Sequence, residues 1–372
     1  MNTHIIRFVM FLLMASCSAI AMACRFTVRE IGFSTLSTTR YTFVVADESL
    51  GNQHTLIKDL KAMARESNIK VVWLHPVADA EHPLMKKAKE QHISFPNAFL
   101  CGDREQLLPF YSAGDYQTQQ LKADFKEKVL VSPLRKEIMK DVHRAFAYVL
   151  FIEGQKDKDN VEARKRVENS LVRIDDIIPL MPKAVDMPPV VLNLGATQHE
   201  EEKVLLWSIG LDSLPVSPRA LVVYGRGRYM GSTLSKEEIA KETVYKYLAM
   251  VGADCECNLD RKWMLGTQIP LTWDSNTRQQ LAKALTFDVD NPSILAEMSR
   301  IMTQEVESTG GSSISFCPET IDLEEAFGAD NEDKKEIEEN EDHTVIVAMA
   351  ATILPLLIAA ILTSIVILKR RQ

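Results

Sequence analysis

The 372-residue chain contains no Cys-x-x-Cys pair, and its six cysteines, 15 glycines and 15 prolines are few for its length. So little glycine and proline excludes collagen-like and low-complexity architectures. A concentrated basic face is also missing, which removes nucleic acid from the expected partners. No Ser-His-Asp arrangement and no compact metal-ligand spacing can be assembled, so neither a metal nor an organic cofactor is expected. Usable Asn-x-Ser/Thr sequons are absent, because Asn291-Pro292-Ser293 is blocked by its proline; this leans towards a bacterial source. What is present is 46% apolar and 25% charged residues, the composition of a folded protein.

The formal charge of −8 is unevenly spread. Residues 319–342 carry 12 acidic and two basic side chains, whereas residues 24–318 carry 39 and 37. A like-charge block self-repels and stays extended, so 319–343 reads as an acidic stalk, either a solvated spacer or a partner-binding tail. Beyond it, Thr344 to Leu368 run 25 residues without a charge. At about 1.5 Å per residue that exceeds the roughly 30 Å hydrocarbon core and predicts a transmembrane helix over 344–368, bent near Pro355. Lys369, Arg370 and Arg371 then assign the tail, 369–372, to the cytoplasm. At the other end, Arg7, the apolar run from Phe8 to Ala15 and the site Ala21-Met22-Ala23 predict a signal peptide over 1–23. Cys17 and Cys24 are alternative lipidation sites. The expectation is a single-pass type I protein of the inner membrane, with its bulk in the periplasm.

Between these ends the chain reads as two similar halves. Tyr41-Thr-Phe-Val-Val-Ala46 is a buried strand, and apolar positions Leu56, Ile57, Leu60, Met63 and Ala64 predict a helix over 53–66. Lys70–His75 is a strand, 81–91 a helix, Ile93–Cys101 a strand, and a turn at Gly102 leads to Glu105–Tyr111 and a helix near 116–128. The second half repeats the order: strand Ala147–Glu153, helix 160–180, strand Pro189–Leu194, and a helix carrying Val204, Leu205 and Trp207, opened by Thr197-x-x-Glu200. Strand Leu214–Tyr224, a turn at Gly225-Arg-Gly-Arg228 and a helix from the Ser235-x-x-Glu238 capping box to Met250 complete it. Both halves carry Pro-x-Ala before apolar residues, at Pro96-Asn-Ala98 and Pro218-Arg-Ala220.

This element order resembles the thioredoxin-like fold over about 220 residues. The resemblance implies a mixed α/β architecture of two three-layer domains, with Pro96 and Pro218 as cis-prolines before the third strand. It also implies a dithiol after the first core strand, and here the chain departs from the family. Those positions read Asp47-Glu-Ser-Leu-Gly-Asn-Gln53 and Gly154-Gln-Lys-Asp-Lys-Asp-Asn160, without a cysteine. The oxidoreductase chemistry is therefore not carried over, and the domains resemble redox-inactive binding or spacing modules.

Five cysteines follow the signal: Cys24, Cys101, Cys255, Cys257 and Cys317. An oxidising compartment favours disulfides among them, and the odd count leaves one thiol over. Cys255-Glu-Cys257 is the chemical-looking pair, yet Asp254, Glu256 and Asp260 crowd it and raise thiol pKa values. Structural pairing with Cys317, redox activity and metal binding are its three readings. Cys101 reads as a core thiol or a bridge to Cys24. His75, His82 and His92 read as surface residues, Arg226 and Arg228 as an exposed hairpin turn, and Asn291-Pro292 as a helix start. Residues Trp263, Leu265, Ile269, Leu271 and Trp273 read as cover for the second domain, before helices near 275–286 and 292–305.

The expected organisation is thus a thioredoxin-like domain over 24–131, a second over 132–257, a helical appendage and linker over 258–318, the stalk and the anchor. The function expected is a non-enzymatic extracytoplasmic binding or scaffolding protein, an accessory subunit partnered with an integral membrane or extracytoplasmic protein. A thiol–disulfide oxidoreductase using Cys255 and Cys257 is the alternative, and a ligand-binding accessory of a transporter the third reading.

Overall fold

A computed structural model describes residues 25–112, 114–253 and 264–303. The chain enters through α1 (Val28–Gly32), opened by a capping box in which Thr27 Oγ1 accepts from Glu30 N and the Glu30 carboxylate accepts from Thr27 N. The β-branched run then forms β1 (Tyr41–Ala46), followed by α2 (Thr55–Met63), β2 (Ile69–Leu74), α3 (Pro83–Glu90), β3 (Asn97–Cys101) and β4 (Leu107–Pro109). Helix α4 (Thr118–Asp124) runs on into a wider π turn over Phe125–Leu130. The sheet order is β2-β1-β3-β4, with β1 parallel to β2 and antiparallel to β3.

The second half adds α5 (Pro133–Asp141), β5 (Tyr148–Ile152), α6 (Asp157–Ile177), β6 (Val190–Leu194), α7 (Lys203–Ser208), β7 (Arg219–Tyr224), β8 (Arg228–Tyr229), α8 (Lys236–Ala240) and α9 (Thr243–Gly252). Its sheet, β6-β5-β7-β8, repeats the first strand for strand in order and direction. Helices α10 (Ser275–Leu285) and α11 (Pro292–Thr303) follow. The fold is mixed α/β with two four-stranded sheets, compatible with two thioredoxin-like domains. Among the described residues no helix is long and apolar enough to cross a membrane. The segments read as signal peptide, stalk and transmembrane span lie outside the described residues.

Strand alternation sorts each sheet into two cores. Tyr41, Phe43 and Val45 meet Ile57 and Leu60 of α2 and Leu121 of α4, while Val44 and Ala46 meet Met85 and Ala88 of α3. In the second sheet Val149 and Phe151 face Ala163 and Val167 of α6, and Leu150 and Ile152 face Leu205 and Leu206 of α7. Each fully buried Phe or Leu contributes about 1.5–3 kcal/mol, so these layers dominate stability. The Thr197–Glu200 capping box does not form. Gln198 accepts from Gly195 N instead, and α7 starts later, at Lys203. The Ser235–Glu238 box does form, but the helix it opens breaks at Glu242, whose φ is 64°, before α9.

Three attachments join the halves. Segment 25–36 packs on the second sheet: Phe26, Val28 and Ile31 sit in the core of Val149 and Phe151. Gly225, with φ 55°, lies so close to Gly32 that a Cβ would come within 2.3 Å of its carbonyl carbon. Trp207 and Val204 of α7 complete the first sheet's core, with Trp207 5.9 Å from Tyr41 ring to ring. Finally, residues 267–273 form a strap. Tyr229 N donates to Thr267 O and Ile269 N to Gly227 O on one side, and Asn68 N donates to Leu271 O and Trp273 N to Glu66 O on the other. Ile269, Leu271 and Trp273 are buried there; Trp263 lies outside the described residues.

Candidate functional site

The loops after β1 and β5 occupy the positions where the fold resemblance implies a dithiol. In the first, Asp47 is buried, and its Oδ1 accepts from Ser49 N (2.8 Å) and Ser49 Oγ (2.7 Å), while Oδ2 accepts from Thr118 Oγ1 at 3.4 Å. Trp73 Nε1 donates to the Asp47 carbonyl. Tyr116 lies against this carboxylate, and burial together with the Asp47 charge raises its phenol well above the ordinary value. The Tyr111 hydroxyl donates to Asp124 Oδ2 at 2.7 Å. Burial acts to raise the Asp124 pKa, but bonds from Lys128 and Tyr111 outweigh it and leave the carboxyl below its usual range. Asn97, across from Ala46 in the sheet, donates to the carbonyls of Ser94 and Tyr111.

In the second loop Glu153 takes the register place of Asp47 and accepts from Arg164 Nη2 at 2.6 Å, and the next residue is Gly154. Its N–H donates to Asn160 Oδ1 and its carbonyl accepts from Asn160 Nδ2, at 2.8 and 3.0 Å. The Phe95–Pro96 bond is cis, whereas Ser217–Pro218 is not, which corrects the expectation that both prolines are cis. The reason lies in the packing of the neighbouring backbone. Ser217 and Pro218 lie directly on Gly154, where a Cβ would come within 2.5 Å of Ser217 C, and Gln155 N donates to Val216 O.

Cys101 is a buried free thiol, whose pKa burial raises. Of its two readings, core thiol and bridge to Cys24, this is the first: it sits in the core of Met85 and Ala88. Cys24, Cys255, Cys257 and Cys317 lie outside the described residues. Among the described residues no group of three His, Cys, Asp or Glu could hold a metal ion. His54 and His82 cap α2 and α3, and His75 closes the turn after β2: each Nδ1 accepts from the backbone N–H two residues on, at 3.2 Å.

Arg226 and Arg228 are not an exposed pair. Arg226 is held by both Asp290 oxygens, at 2.9 and 3.0 Å. Arg228 is wholly buried and donates to the carbonyls of Gly32, Ser34, Leu36 and Gly266. A guanidinium carries five N–H donors, enough to satisfy four carbonyls that a strand cannot reach. Arg135 does the same at the junction of the halves, donating to Lys128, Val129 and Pro270 carbonyls, with the buried Glu202 carboxylate accepting from Ser132 Oγ and Leu134 N beside it. Burial pushes the pKa of both arginines down to about 10. Sequence reading missed these clamps, because a buried arginine and a surface arginine look alike in sequence.

A cavity of about 230 Å³ opens between α1, His143 and the Lys183–Asp186 turn. Its charges are already paired, Lys183 with Glu30 and Arg144 with Asp186. Arg29 there donates to the His143 and Ala145 carbonyls. The three described constellations therefore hold loops and elements in place.

No family model matches the chain, and neither does any curated protein. Among solved structures, the crystal structure of human ERp44, form II, aligns with 61% of this chain at 13% identity and a TM-score of 0.19. The aligned part spans 59% of the ERp44 chain.

Proposed function

We propose that the chain is a non-enzymatic, membrane-anchored extracytoplasmic binding or scaffolding protein, working as an accessory subunit of a membrane complex. The observation behind this reading is the state of the two loops after β1 and β5. Neither loop holds a cysteine, and Asp47 in the first and Gly154 in the second are spent on internal hydrogen bonds. A thiolate at a helix start needs a cysteine and a stabilising N-terminus, and neither loop supplies the first. The anchor over 344–368 and the acidic stalk support a protein held at the outer face of the inner membrane.

Crosslinking of the full-length chain in its native membrane, followed by mass spectrometry, tests this. Repeated recovery of the same partner is the expected result, and repeated recovery of the chain alone overturns the reading. Reduction of a disulfide substrate by the full-length chain, abolished by Cys257→Ser, would replace it with the oxidoreductase reading.

A further inference from the structure

Four sheet edges exist among the described strands, and they are not equally protected. The β8 edge is covered by the strap through Thr267 and Ile269. The β4 edge is three residues long and ends on Pro109, which has no N–H to offer. Pro188 and Pro189 stand directly before β6. The six-residue β2 edge carries no proline, and only the outward groups of Ile69 are taken, by Ser67 Oγ. Since Tyr41 N donates to Asn68 O and Tyr41 is in register with Ile69, residues 68, 70 and 72 face β1. Val71 and Trp73 therefore turn their N–H and C=O groups outwards. The strap takes the main-chain groups of Glu66 and Asn68 and goes no further along this edge. A groove of about 750 Å³ runs beside the remaining residues, Ile69 to Leu74.

The charges along the groove are one-sided. Lys61, Arg65 and Lys70 line it, all exposed, and none forms an ion pair with a described carboxylate. The single acid, Asp79, already accepts from His75 N. Two β2 edges brought together would face these cations with cations, which disfavours self-pairing.

We infer that the β2 edge is a docking strip for an extended, acidic segment of a partner protein, added to the first sheet as a fifth strand. Main-chain bonds to Val71 and Trp73 supply the register, and carboxylates on the incoming strand meet Lys61, Arg65 and Lys70. The strap sets the near end of the strip, because it already blocks Glu66 and Asn68. This inference rests on the binding reading above and names its surface.

The test uses the full-length chain in detergent and a synthetic peptide alternating glutamate with valine. Binding is read by anisotropy of a labelled peptide, and its location by amide hydrogen exchange. The expected results are slowed exchange at Val71 and Trp73, loss of binding when the peptide backbone is N-methylated on alternate residues, and at least about a tenfold weaker affinity in the Lys61→Glu/Arg65→Glu/Lys70→Glu variant. These three side chains are exposed, and N-methylation leaves the protein untouched, so misfolding cannot produce both effects. No binding at millimolar peptide, unchanged affinity in the triple variant, protection confined to other strands, or concentration-dependent dimerisation protecting the same amides would each overturn it. If crosslinking recovers a partner while Val71 and Trp73 stay unprotected, the strip is wrong and the binding reading stands.

Discussion

The loop after the central strand of the first sheet is secured by Asp47 and that of the second by Gly154, one residue further along, and the two are secured in opposite ways. Asp47 reaches outward with a carboxylate to gather Ser49 and Thr118. Gly154 does the reverse, offering bare backbone so that Asn160 can clamp it from one side and Pro218 can lie on the other. The surroundings differ in the same sense. The second sheet is wrapped by α1, the strap and Arg228, whereas the first leaves its β2 edge open. A repeated strand order therefore carries two tasks: one copy is built into the body of the protein, and the other keeps a surface free.

The wrapping can be broken at Arg228. Arg228→Met keeps most of the volume but strands the Ser34, Leu36 and Gly266 carbonyls, while Gly32 O keeps the Arg226 N–H, and no carboxylate partner is lost in exchange. Each orphaned buried acceptor costs about 1–3 kcal/mol, with partial relief by water, so a loss of roughly 3–5 kcal/mol is expected in equilibrium urea unfolding of the full-length chain. A loss below about 1 kcal/mol would mean that segment 32–36 is not held by this side chain.

The contrast between the two loops is sharpened by substituting each to alanine. Gly154→Ala forces a Cβ to within 2.5 Å of Ser217 C and 2.7 Å of Pro218 N, both backbone atoms that cannot rotate away. Overpacking of this kind costs about 2–3 kcal/mol. Asp47→Ala removes an acceptor and leaves Ser49 and Thr118 to find water, at about 1–2 kcal/mol. The same unfolding measurement ranks them, and an Asp47→Ala effect larger than that of Gly154→Ala would contradict the assignment of the tighter loop to the second sheet.

Strands and helices were legible in the sequence because burial writes a period into it. The alternation of Tyr41, Phe43 and Val45 and the spacing of Leu56, Ile57 and Leu60 yield the observed elements to within a few residues. Helix starts were less legible. Ser235-x-x-Glu238 forms as read, but Thr197-x-x-Glu200 is displaced because Glu202 is drawn into the buried cluster with Ser132 and Leu134, far apart in sequence. The arginine clamps, the strap and the trans bond before Pro218 depend on contacts between residues far apart in sequence. Such contacts leave no local pattern, which is why Arg226 and Arg228 read as exposed. Of the candidate site, only the missing thiols after β1 and β5 could be read directly.

The smallest difference between the halves lies in how their helices begin. In the second half Ser132 and Ser235 cap α5 and α8 through hydroxyls. In the first, His54 caps α2 and His82 caps α3, each through Nδ1. Serine is a preferred N-cap residue and histidine is not, so His54→Ser and His82→Ser should each stabilise the chain by roughly 0.5–1 kcal/mol. The pH dependence belongs to the second half instead. Burial lowers the His199 pKa, so the unfolded chain binds the proton more readily and stability falls as pH drops through the ordinary histidine range. Amide exchange at Leu56 and Leu84, the two capped N–H groups, locates the effect of the caps. Those amides should exchange more slowly in the serine variants than in the parent. The amide of Arg135, capped by Ser132, should show no such change; equal behaviour at all three sites would dissolve the difference between the halves at this level.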